Sequence, residues 1–140
     1  RIPGNWREFP VQSDNEVWFA PEGAYGNEGI THGVVIGVMK GTGNFRQDSQ
    51  NYINAILQGN SYLRQQGGFS SGRISGRNAL AATLSGTSPI TRRAERDIIY
   101  TVQLANGSLL YVVTVAPQDQ SSSYDPAFRN LINSIRVIDR

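Results

Sequence analysis

The sequence predicts an α+β domain, a mainly antiparallel sheet of about six strands with one helix after the third strand and a second near the C-terminus. Three observations carry that reading. Residues 95–117, ERDIIYTVQLANGSLLYVVTVAP, hold two apolar runs on either side of Asn106-Gly107, the pair that best tolerates the positive φ angles of a two-residue type I′ hairpin turn. Residues 44–66 repeat apolar side chains at helical spacing, with Tyr52, Ile53, Ile56, Leu57 and Leu63 on one stripe. Asp125-Pro126 sets an N-cap acceptor before proline at the first helical position, and Phe128, Leu131, Ile132 and Ile135 follow on one face.

The elements follow in order. Pro3-Gly4-Asn5 forms a turn before a short edge-type strand in which Trp6 and Phe9 are the expected anchors. Residues 16–20, EVWFA, are strongly β-prone and end at Pro21-Glu22-Gly23. A glycine-rich loop leads to ITHGVVIGVMK, apolar on both faces around Val34 to Met39 and therefore an interior strand. Gly41-Thr42-Gly43 breaks it, and Asn44, with Gln47 completing a capping box, or Asp48 starts the first helix. Gly67-Gly68 is expected to stop that helix. Residues 69–85 then read as one bent strand or two, with Leu80, Ala82 and Leu84 on one face. A two-residue turn at Asn106-Gly107 would pair Leu104 with Leu109, Val102 with Tyr111, Tyr100 with Val113 and Ile98 with Val115, all on one face. After a serine-rich connection and the C-terminal helix, Ile135, Val137 and Ile138 close the chain as a short strand.

At 140 residues, with no internal repeat or linker, the chain reads as a single domain, residues 1–140. It opens at Arg1 without methionine and so reads as a piece excised from a longer chain. The absence of cysteine excludes disulfides and zinc–thiolate sites. The net charge is +2 and twelve of the thirteen basic residues are arginine, a mild, dispersed excess that does not suit a nucleic-acid binder. No apolar run reaches the ~20 residues needed to span a bilayer.

Chemistry-bearing groups are sparse. Gly68-Phe69-Ser70-Ser71-Gly72 fits the G-x-S-x-G pattern, but it follows a helix and the sole histidine, His32, lies upstream, so a loop is the better reading. His32 alone, without cysteine, leaves a zinc site short of ligands. Gly41-Thr42-Gly43 lacks the Lys-Ser/Thr of a phosphate loop. No catalytic residue, metal ligand or cofactor site is therefore assigned. Arg92, Arg93 and Arg96 near the hairpin entry, with Trp18 and Tyr25 as aromatic anchors, form the candidate contact with a protein partner. Tyr52 and Tyr100 are the candidate lining of a small-ligand pocket between the sheet and the 44–66 helix.

The order of elements, with Pro3-x-x-Trp6, Trp18-Phe19-Ala20-Pro21 and Tyr124-Asp125-x-x-Phe128, resembles the Mog1/PsbP-like α/β/α sandwich over most of the chain. Residues 29–33 (GITHG), 84–91 (LSGTSPIT) and 111–117 (YVVTVAP) are also similar to a domain appended C-terminally to some bacterial zinc peptidases of the M48 family. That second resemblance implies a periplasmic or envelope location and an HExxH helix upstream; this chain contains no such motif. The expectation is a non-catalytic accessory domain that contacts a protein partner or its own upstream catalytic domain. A stand-alone small-ligand-binding module of the periplasm or cell surface is the alternative.

Overall fold

A computed structural model describes residues 6–9, 16–21, 25–26, 29–30, 33–89, 92–117, 129 and 132. Its strands are β1 (Trp6–Phe9), β2 (Glu16–Pro21), β3 (Tyr25–Gly26), β4 (Gly29–Ile30), β5 (Gly33–Met39), β6 (Arg64–Ile74), β7 (Arg77–Thr87), β8 (Ala94–Gln103) and β9 (Leu109–Pro117). One helix, α1 (Phe45–Gly59), follows β5. Seven strands form one sheet in the order β1-β2-β5-β9-β8-β7-β6, every neighbour antiparallel, and β3 pairs with β4 separately. The main sheet thus has one strand more than expected, with the helix after its third strand as the sequence indicates.

Over 69–85 the second of the two readings holds, two strands rather than one, and the first of them starts earlier, at Arg64. They fold into a long hairpin whose turn residues Ser75 and Gly76 have φ of 54° and 77°, the pair of positive values that a type I′ turn requires. Gly67-Gly68 does not end a helix; it lies in the β6 irregularity between Gln66 and Ser70, with Gly67 at φ 71°. Helix α1 stops earlier, at Gly59, because glycine and asparagine are weak helix formers and the Asn60 side chain takes the Ile56 carbonyl at 2.9 Å. Leu63 still reaches the core, from a turn closed by its N–H on the Asn60 carbonyl at 2.9 Å.

The β8–β9 hairpin departs from expectation by one residue. Its turn is a three-residue loop, with Gly107 N–H donating to the Leu104 carbonyl at 2.9 Å and Leu104 N–H donating to Ser108 at 2.8 Å. Among the loop residues only Gly107 has a positive φ, 86°, which is the type I turn plus αL residue rather than type I′. Val102 therefore faces Leu110, Thr101 faces Tyr111 and Ile99 faces Val113. A one-residue slip exchanges the faces of a strand, so Ile99, not Ile98 or Tyr100, joins Tyr111, Val113 and Val115 beneath α1.

Helix α1 begins at Asn44, whose Oδ1 accepts from Gln47 N–H at 3.1 Å; the Gln47 side chain turns to Asn51 instead of closing a capping box. The helix lies on β8 and β9, with Ile53 in a core of Leu63, Ala82, Leu84, Ile99, Tyr111, Val113 and Val115. Tyr111 is wedged between Tyr52, stacked at 4.2 Å between ring centroids, and Gly37 of β5, where any Cβ would strike the phenol ring. Within this layer Ser49 and Thr101 share a buried 2.7 Å hydrogen bond. The other sheet face holds Ile74, Ala79, Val102 and Leu110, against which Tyr100 and Ile132 pack. Of the expected C-terminal helix only Arg129 and Ile132 are described, both helical; its N-cap, most of its apolar stripe and the closing strand lie outside the described residues. No described helix is long and apolar enough to cross a membrane.

Candidate functional site

The first turns of α1 set Arg46, Gln47 and Gln50 opposite Gln65, Gly68 and Phe69 of β6, the strand at the sheet edge. Between them lies an open cleft of about 450 Å³, completed by Asn44. The β6 irregularity shapes one wall: Gly68 contributes no side chain, and Phe69 packs its ring toward the core. The Arg46 guanidinium stands 5.3 Å over the Phe69 ring centroid, a cation–π contact, and makes no hydrogen bond or ion pair among the described residues. The amides are held in place. Gln50 Nε2 donates to Asn54 Oδ1 at 3.0 Å and Gln65 Oε1 at 3.3 Å, and Gln47 Nε2 donates to Asn51 Oδ1 at 2.9 Å. Among the described residues the cleft offers one cation without a polar partner and an array of amides, groups that both donate and accept.

A second cluster is internal. Glu95 and Asp97, two apart on β8, share the α1 face and are 6% and 4% exposed. The Tyr62 hydroxyl donates to Glu95 Oε1 at 2.9 Å, and the Tyr62 backbone passes so close over Gly86 that a side chain there would collide with it. Burial, then the hydrogen bond with Glu95 and its charge, pushes the Asp97 carboxyl well above the usual carboxylate range. Burial, the Glu95 charge and hydrogen bond, and the Asp97 charge push the Tyr62 phenol up. Asp97 Oδ1 has no hydrogen-bond partner among the described residues. Both carboxyls are buried inside the fold and line no part of the cleft.

The Gly41-Thr42-Gly43 turn is occupied by the chain's own anion. Thr42 N–H donates to Asp48 Oδ2 at 2.9 Å and the Thr42 hydroxyl to Asp48 Oδ1 at 2.7 Å. Ser70 is inside extended β6, not at a strand-to-helix turn, and its hydroxyl lies 3.5 Å from the Ala81 carbonyl; the nucleophile-elbow geometry is absent. Among the described residues no group of three or more His, Asp or Glu is placed to hold a metal, and His32 lies outside them.

The proposed ligand-pocket tyrosines are separated by the sheet. Tyr52 packs on the α1 side, Tyr100 on the opposite face, and Tyr111 is the partner that Tyr52 meets. The register slip accounts for the exchange. Arg92 and Arg93 are exposed on the β7–β8 connection, Arg92 at φ 58° with its N–H on the Ser88 carbonyl. Arg96 sits on β8 opposite Ser85 and Ala116. Trp18 lies in β2, in register with Phe9 and Val35, and Tyr25 in β3, in register with Ile30. Sequence reasoning missed the cleft because its residues fell in a helix that was expected to run through Gln65. It missed the acid pair because the expected register left Asp97 outside the core; the Glu-x-Asp spacing on a strand was the available signal.

No protein-family model matches the chain, and no curated protein matches it. Solved structures do. LpqN of Mycobacterium tuberculosis, described as involved in cell envelope biogenesis, aligns with TM-score 0.64 and 16% identity over 96% of this chain and 79% of its own. The cyanobacterial PsbP protein CyanoP of Synechocystis sp. PCC 6803 aligns with TM-score 0.65 and 10% identity over 98% of this chain and 84% of its own. A Pseudomonas aeruginosa protein described as a putative regulator of unknown function aligns with TM-score 0.57 and 10% identity over 98% of this chain and 100% of its own. The fold is PsbP-like.

Proposed function

We propose that this chain is a non-catalytic binding domain of a bacterial cell-envelope protein and that it binds through the flank formed by α1 and β6. The observation that carries the reading is Arg46, an exposed guanidinium with no polar partner among the described residues, at the mouth of a cleft walled by oriented amides. A cation with no polar partner among the described residues can meet an anionic group from outside. The envelope setting draws support from the likeness of fold to LpqN, a protein involved in cell envelope biogenesis. Arg92, Arg93 and Arg96, with Trp18 and Tyr25, are proposed as a separate contact toward a protein partner or an upstream catalytic domain. That the parent chain is an M48-type peptidase rests on the resemblance of three short segments alone.

Sedimentation with isolated bacterial envelopes tests the reading. The chain is expected to pellet with them, Arg46→Glu to lose at least ~10-fold in retention, and a double Arg92→Glu, Arg93→Glu variant to pellet like the unmodified chain. Equal retention of Arg46→Glu would remove the cleft from the account.

A further inference from the structure

We propose that the α1/β6 cleft is a saccharide site, selective for a sugar that carries a carboxylate; this deepens the binding-domain reading and rests on it. The lining chemistry argues against three other ligand classes. A divalent metal ion is held chiefly by carboxylates, and none is among the described residues lining the cleft. A phosphate-rich ligand calls for several cations, and Arg46 is the single charged residue among the described lining. An apolar ligand needs an apolar wall, whereas Phe69 is the one large apolar side chain among the described lining residues.

The lining that is present matches a polyhydroxylated ring. A hydroxyl both donates and accepts, and so does each amide of Asn44, Gln47, Gln50 and Gln65. Gln47 gives one N–H to Asn51, and Gln50 gives its two to Asn54 and Gln65, which leaves both carbonyl oxygens and the second N–H of Gln47 to face a ligand. Amides fixed before binding lose less freedom on binding. The electron-rich face of Phe69 suits the C–H side of a pyranose, with the Arg46 head displaced sideways from its present perch. Its planar fork then meets a carboxylate with two parallel hydrogen bonds. The nearest acid on the same helix, Asp48, does not compete for Arg46, because Thr42 occupies both its oxygens. A volume of about 450 Å³ lies within the range of sites that take small molecules.

The test titrates the intact, isotope-labelled chain with a tetragalacturonate, its fully methyl-esterified form and a tetraglutamate peptide, followed by side-chain amide resonances. The uronate is expected to move the signals of Gln47, Gln50 and Gln65, and esterification to weaken binding at least ~10-fold. Arg46→Gln should cost the acid the same factor and leave the ester unchanged; Gln50→Ala should weaken both. Unmoved signals at millimolar sugar, tetraglutamate binding as tightly as the uronate, or no response to Arg46→Gln would each overturn the assignment. If Arg46-dependent sedimentation with envelopes persists without sugar binding, the saccharide assignment falls while the binding-domain reading stands. Loss of both removes both.

Discussion

Asp97 is a carboxyl 4% exposed, with one oxygen unpartnered among the described residues. Its folded-state pKa is raised above the unfolded value, chiefly by burial and secondly by Glu95. The stability that its proton confers is therefore complete below the unfolded carboxylate range and is lost as pH rises through the raised folded value. Asn at this position mimics the protonated form. Asp97→Asn is expected to raise the melting temperature at pH 7 by a few degrees, on the order of 1 kcal/mol, with the gain shrinking toward zero near pH 4. A pH-independent loss would contradict the proton-holding role. Tyr62→Phe removes the donor to Glu95 and should cost about 1–3 kcal/mol, read by chemical denaturation. At Gly37, alanine has nowhere to put its Cβ beside Tyr111. Gly37→Ala should destabilise by about 1–3 kcal/mol and disturb the near-ultraviolet signal of the Tyr52–Tyr111 stack. The Glu95-x-Asp97 spacing was legible in the sequence, but the burial of that pair and its contact with Tyr62, like that of Gly37 with Tyr111, depended on a register that had first to be known.

Turn chemistry decided the elements, and one turn misled. Asn106-Gly107 does join two strands, as its composition indicates, yet the loop takes in Ala105 as well and shifts the pairing by one residue. Alternation could not arbitrate. Residues on both faces of β9 are buried, and β8 carries Ile98, Tyr100 and Val102 on one parity against Ile99 and Thr101 on the other. Thr101, polar by type, is buried because Ser49 supplies its hydrogen bond. The two-residue positive-φ turn belongs instead to Ser75-Gly76, where serine tolerates the conformation poorly. Ser75→Asn would place the favoured Asn-Gly pair there and is expected to stabilise the chain by about 0.5–1 kcal/mol. An unchanged or lowered denaturation midpoint would argue against a type I′ turn at this site. Helix α1 was legible in its start and its stripe but not in its end, since Gln65 and Gln66 suit a helix in isolation and strand pairing with β7 overrides them.

For the whole molecule, the antiparallel sheet, the helix after its third strand and the PsbP-like likeness were within reach of pattern and resemblance. The site was not. It arises where α1 meets β6, two elements adjacent in sequence whose boundary the periodicity blurred. A shared fold at 10–16% identity fixes the scaffold and leaves function to the groups mounted on it. Those groups gather on one flank of the sheet, with the exposed Arg92 and Arg93 on the connection between β7 and β8 as the competing surface.

Amide hydrogen exchange of the intact chain, with and without isolated bacterial envelopes, separates these surfaces in a single experiment. Binding through the cleft predicts slowed exchange confined to residues 44–50 and 64–70, with residues 92–96 unchanged. Protection centred on 92–96, with the α1/β6 flank exchanging as in the free chain, would contradict the assignment of the cleft as the binding site.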